Sequence, residues 1–148
     1  FDALAAKLAG LGGELLVRAF DLAAAGELRF EEQGEEGVTY AEKIDPVERR
    51  LDPGRPAAEL ARAVRALAPH VGVYLEAADG ERLGVKRADD VDIDLAPGDV
   101  ELEDGALLVG CDGGSLRLLE VQPPGGKPMP VDAYLRGHAP PRLARPEL

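Results

Sequence analysis

The chain has 148 residues, 45% of them hydrophobic and 30% charged, which is the make-up of a globular domain with one additional element. Its formal net charge of -11 excludes a surface that is basic all round, and its single cysteine excludes an internal disulfide, which fits a reducing cytosol. Trp is absent and aromatics reach only 4%, so the core must come from Leu, Val and Ala, while no apolar run has the length of a membrane span and no signal peptide is recognisable.

In chain order, Asp2 to about Ala25 reads as a helix, because Leu4, Leu8, Leu11, Leu15 and Leu22 recur at helical spacings and make one apolar stripe. Gly12 and Gly13 interrupt it, and Gly26 fits a left-handed C-terminal cap. The stripe has no evident partner in the next segment, and the chain starts at Phe1 rather than Met. Both are expected of a piece cut from a larger protein. Glu31 to Gly37 is acidic linker, and Val38 to Asp45 looks extended. Pro56 opens a second helix to about Ala68, with Pro in the first turn, Leu60, Val64 and Leu67 on its apolar face, and Pro69 as its stop. From Val71 onward the signal is of short strands: 71–77, 82–86, 91–95, 100–102, 106–111 and 116–121. Turns at Ala78-Asp79-Gly80, Pro97-Gly98, Asp104-Gly105 and Asp112-Gly113-Gly114 separate them. Strands so short and so evenly spaced predict a small barrel or sandwich. Pro123 to Pro128 reads as a tight loop, and 130–136 as a short closing helix before a loose tail rich in Pro and Arg.

The residues offer little for catalysis. There is no Asn, one Ser (Ser115), one Thr (Thr39) and two separated histidines, His70 and His138. Ser115 follows two glycines at a strand start and reads as a turn or strand-edge hydroxyl. One Cys and two scattered His lack zinc-ligand spacing, Asp89 to Asp94 lacks the glycine and final glutamate of a calcium loop, and Gly125-Gly126-Lys127 lacks the Walker spacing. Cys111 ends an apolar run and reads as a buried small hydrophobe.

Charge, by contrast, is unevenly placed. Residues 89–104 hold eight carboxylates and no Lys or Arg, whereas arginines gather at Arg49, Arg50, Arg55, Arg62 and Arg65, and again at Arg136, Arg142 and Arg145. Arg62 and Arg65 lie three apart and share a helix face. With Lys43, Arg49 and Arg50 they form a group suited to clamping a phosphate backbone. The same residues also fit a plain solvated helix face, with Glu59 pairing to Arg62 or to a residue nearby, and the pattern alone leaves both open.

Several stretches resemble bacterial methionyl-tRNA formyltransferases. Leu116 to Gly137, LRLLEVQPPGGKPMPVDAYLRG, has that family's late strand, Gln-Pro, glycine/lysine loop, Pro-Met and short helix. VTYAEKI at 38–44 resembles its interdomain segment, and LDPGRPAAELARAVRAL at 51–67 its helix entry and helix. Pro97-Gly98 with Val100, the first helix and Gln33 also fit. The chain departs from the family in having Ala68-Pro69-His70 where Asn-Pro-Trp is usual, Pro53 where Trp is common, and Pro130 where a capping Ser is common.

The resemblance implies a mainly β fold with flanking helices: a small open Greek-key β-barrel similar to an OB-fold, preceded by an N-terminal helix and linker. By it, residues 1–28 are a helix of the catalytic domain, 29–45 the interdomain linker and 46–148 a C-terminal tRNA-binding barrel. The family's catalytic domain uses 10-formyltetrahydrofolate as formyl donor and an Asn-His-Asp set that this chain, without Asn, cannot complete. It follows that no catalytic residue and no metal are expected here, and that this piece alone is inactive. The expected partners are initiator methionyl-tRNA and the chain's own catalytic domain, in a cytoplasmic, monomeric protein. Lys43, Arg49, Arg50, Arg62 and Arg65 are the expected phosphate contacts, joined by Lys127 and Arg136, with the acidic 89–104 run turned away. Two other readings stay open at this point: the structural barrel of a related formyltransferase with a small substrate, and a non-enzymatic acidic interaction domain.

Overall fold

The computed structural model describes residues 2–144 and divides into two compact units, one running to Glu42 and one starting at Lys43. The first unit holds one helix, α1 (Asp2–Ala24), which continues through Gly12 and Gly13 without a break. It ends in a Schellman arrangement: Gly26 takes φ 72°, its N–H donates to the Ala23 carbonyl, and the Glu27 N–H donates to the Leu22 carbonyl. None of its residues is buried, and Leu4, Leu8, Leu11 and Leu15 are all exposed. Residues 38–45 form no strand.

The second unit begins with a 3-10 helix, Pro46–Arg49, capped by a reciprocal box: the Val47 N–H donates to the Asp45 carboxylate, and the Asp45 N–H donates to Glu48. Helix α2 (Ala57–Leu67) follows. Pro56 is its N-cap rather than a first-turn residue, and it buries Ala57, Leu60, Ala61 and Val64. Six strands then make one sheet: β1 (Val73–Glu76), β2 (Arg82–Val91), β3 (Val100–Glu103), β4 (Ala106–Cys111), β5 (Gly114–Gln122) and β6 (Met129–Pro130). Helix α3 (Val131–Leu135) closes it. The order β1-β2-β5-β4-β3 is antiparallel throughout, with β6 on β5 beyond β4. Three hairpin-connected strands with β2 returned beside the last of them make a Greek key. No ladder joins β1 to β3 among the described residues, so the barrel is open.

Two expectations fail here. Segments 82–86 and 91–95 are not separate strands: β2 is continuous from Arg82 to Val91, and 92–95 is loop. Asp89 and Asp90 resemble a turn in sequence, yet they sit exposed on the ladder opposite Arg117 and Leu116, while Ala88 beside them is buried. In addition, β6 lies where sequence suggested only the approach to a helix.

The core joins Leu51, the buried face of α2, and the inward side chains of the sheet, among them Leu75, Val85, Val109, Leu118 and Val121. Burial of one such Leu or Val is worth about 1.5–3 kcal/mol. Every residue of β4 from Leu107 to Cys111 is buried, so this apolar run is covered on both faces. The cover on one side is the β2–β3 connection. A side chain at Gly110 would meet the Ala96 carbonyl at 2.2 Å, and the Gly110 N–H donates to the Asp99 carbonyl. Ser115 completes this clamp, fully buried and donating its hydroxyl to the Ile93 carbonyl at 2.7 Å.

Candidate nucleic-acid interface

The clustering of basic side chains begins with an irregularity in β2. Val85 pairs with Val121, but the next pair is Arg87 with Glu120 and the next Ala88 with Leu118. One residue is therefore extra on β2 and another on β5. Strict alternation between Val85 and Ala88, both buried, would turn one of the two intervening residues inward. The bulge instead leaves Lys86 half-buried and Arg87 exposed, so two successive cations reach solvent.

Two clefts meet at Lys86. One, of about 280 Å³, lies where α2 packs on β2 and is lined by Val64, Arg65, Pro69, Lys86, Arg87 and Asp89 among others. The other, of about 250 Å³, is lined by Arg49, Tyr74, Arg82, Lys86, Gln122 and Gly125 among others. Its side chains are held in place. The Arg49 Nε–H donates to the Gly72 carbonyl at 3.0 Å, and Gly72 takes φ 80°, where a side chain would be strained. The Arg82 guanidinium lies 4.5 Å from the Tyr74 ring centroid, a cation–π contact. Gln122 donates from Nε2 to the Gly126 carbonyl, fixing the loop that leads to Lys127. A larger cleft of about 450 Å³ lies beyond Arg82, where Tyr134 stacks on His138 with ring centroids 4.5 Å apart; Arg142 there is offset by Asp79 and Glu81.

The residues expected from sequence divide into three groups. Arg49 and Arg65 line the two clefts. Lys43, Arg62, Arg65, Arg87 and Lys127 are exposed and Lys86 is half-buried, and none of the six takes part in an ion pair among the described residues. Arg50 and Arg136 are already engaged, Arg50 with Glu76 at 3.0 Å and Arg136 with Asp132 at 3.0 Å. Such exposed pairs are worth at most about 1 kcal/mol, which a phosphate can outbid. Glu59 pairs with nearby Arg55 and not with Arg62, which is exposed, as a solvated helix face also allows. Arg145 lies outside the described residues. Sequence reasoning missed Arg82, Lys86 and Arg87. Their signal is the basic spacing in RLGVKR.

The net acidity of residues 43–148 comes from the 89–104 run. Outside 89–104, residues 43–148 hold 14 Lys and Arg against 11 Asp and Glu. The described residues include no group of three His, Cys, Asp or Glu placed to hold a metal, and no helix long and apolar enough to cross a membrane. Burial pushes the Cys111 thiol up to about 11, and its Sγ–H faces the Val109 carbonyl at 3.3 Å, so it is a core group and not a nucleophile. Burial, with Glu81 nearby, also raises the Tyr134 hydroxyl.

The model of the formyl transferase C-terminal domain matches residues 43–139, most of the second unit. The chain belongs to the formyl transferase C-terminal domain family. Curated relatives agree: it is 43% identical over 133 residues to the methionyl-tRNA formyltransferase of Nitrobacter hamburgensis, and 37% identical over 134 residues to that of Brucella ovis, in each case over 88% of this chain. The chain spans 42% and 43% of the length of those two relatives. Among solved structures it is similar to a variant of HypX from Aquifex aeolicus, with TM-score 0.61 and 19% identity over 84% of this chain and 23% of the other. The same protein in complex with tetrahydrofolic acid gives TM-score 0.60 and 20% identity, over 84% of this chain and 22% of the other. At such identity these two structures speak for the fold alone.

Proposed function

We propose that this chain is the tRNA-holding C-terminal part of a methionyl-tRNA formyltransferase, an enzyme that transfers a formyl group from 10-formyltetrahydrofolate to the amine of methionyl initiator tRNA. The observation that carries the reading is the identity of 37–43% over 88% of the chain to proteins of that name, a match of 133–134 residues that is too long to lie within the barrel alone. On this reading residues 1–28 belong with the catalytic domain, 29–45 connect the two parts, and 46–148 form the binding domain. The formyl donor is a substrate of the catalytic domain. The barrel's contribution is orientation: it holds the tRNA so that the methionyl amine reaches the donor, which lowers the entropic part of the barrier. Lys43, Arg49, Arg62, Arg65 and Lys127 are the proposed phosphate contacts, with Arg50 and Arg136 available once their surface pairs open. The proposal places the protein in the cytoplasm, where translation is initiated, as a monomer.

Titration of the chain with fluorescently labelled initiator tRNA tests this. The expected result is binding that weakens with salt by a slope reflecting roughly three to five phosphate contacts, and a further loss of about tenfold in the Arg62→Ala/Arg65→Ala variant. Absence of binding at low salt sinks the tRNA-holding role.

A further inference from the structure

We infer that the outer face of β2, running from Arg82 through Lys86 to Arg87 with Arg49 and Arg65 on its flanks, is a short track for consecutive phosphates of one nucleic-acid strand; the inference rests on the tRNA-holding reading above. Three observations converge on it. Five cations line two clefts that share Lys86, so they form one continuous surface. Arg49 is oriented through Gly72 and Arg82 through Tyr74, which reduces the side-chain entropy lost when a phosphate binds. The bulge turns both Lys86 and Arg87 outward where a regular strand would bury one of them. The same bulge lets Val85 and Ala88 both face the core while Lys86 stays half-buried and Arg87 exposed.

Geometry also limits the track. Arg82 and Lys86 are four residues apart, about 13 Å along a strand, which corresponds to the axial rise of roughly four phosphates. Beyond Arg87 the same strand carries Asp89 and Asp90, and the chain continues through Asp92 and Asp94. A phosphate backbone following β2 therefore meets repulsion after Arg87 and must turn away or end there. Such a surface suits a folded RNA that bends past the protein, and disfavours a long straight duplex.

The test compares three proteins: the unchanged chain, R82Q/K86Q/R87Q, and K7Q/R18Q/R29Q, which removes three charges from the first unit. Kd for labelled initiator tRNA is measured at about 50 and 150 mM salt, and a thermal melt by circular dichroism checks folding. The expected result is a loss of tenfold or more for the β2 variant, with a log–log salt slope shallower by about three, against less than about threefold for the other variant. Should the β2 triple variant fold poorly, Lys86→Gln against Lys86→Arg replaces it; the arginine is expected to retain binding and the glutamine to lose about threefold or more. Equal losses in the two triple variants, or a Lys86→Gln that binds as well as Lys86→Arg, overturn the track while leaving the tRNA-holding function in place. No binding by the unchanged chain overturns both.

Discussion

Lys86 and Cys111 mark opposite uses of the same sheet. Lys86 lies at an irregularity that trades ladder regularity for an outward charge, whereas Cys111 ends a fully buried strand, where only its neutral thiol is tolerated. Because burial pushes that thiol from an ordinary 9.0 to about 11, the folded state holds its proton more tightly than the unfolded state. The resulting stability is present in full below pH 9.0 and is lost as pH rises through about 11. Unfolding by urea at pH 8 and pH 10.5, for the unchanged chain and Cys111→Ala, reads this directly. The unchanged chain should lose about 2 kcal/mol more than the variant between the two pH values. Parallel losses mean that the thiol titrates alike in both states. Glycine at 110 shows how closely sequence and packing are tied: its lack of a side chain admits the Ala96 carbonyl, yet nothing in the string VGCDGG reveals which backbone approaches it.

Elements that bury one face were legible in the sequence. The stripe Leu60, Val64, Leu67 located α2, and Asp-Gly turns located the β3–β4 and β4–β5 hairpins. Elements defined by what lies opposite them were not. The length of β2 depends on β5 accepting Asp89 and Asp90 on its ladder, and the basic face exists only because α2 brings Arg65 beside residues more than twenty positions later. Of the expected arginines, Arg49 and Arg65 line the two clefts, and the cations beside them there, Arg82, Lys86 and Arg87, become visible only once the strand is paired. The acidic run is the counterpart of this face. Val100–Glu103 forms an edge strand, and charges on such an edge guard against pairing with other chains. At physiological salt, where screening acts over about 8 Å, carboxylates turned away from the tRNA have little influence on its binding. Neutralising Asp90, Asp92 and Asp94 to Asn should then raise affinity less than about threefold in the same fluorescence titration. A gain of tenfold or more places the run against the tRNA.

At the scale of the whole molecule, the two units differ in how much of their stability they carry themselves. The second has a core built from α2, α3 and four strands, and its Greek-key order ties residues distant in sequence. The first has a 23-residue helix with Gly10, Gly12 and Gly13 inside it and no buried residue. An isolated helix of that composition is marginal, since each interior glycine costs about 0.5–1 kcal/mol and no packing offsets it. Hydrogen exchange should separate the two: α1 amides are expected within about tenfold of unstructured rates, and β5 amides at least about a thousandfold slower. If the proposed function is right, the Leu4–Leu15 stripe is the face that meets the catalytic domain, and α1 becomes protected in the full-length enzyme but not in this chain. Slow exchange of α1 in this chain, increasing with protein concentration, would instead mean that two copies cover each other's stripe, and the assignment of α1 to the catalytic domain would lose its physical basis.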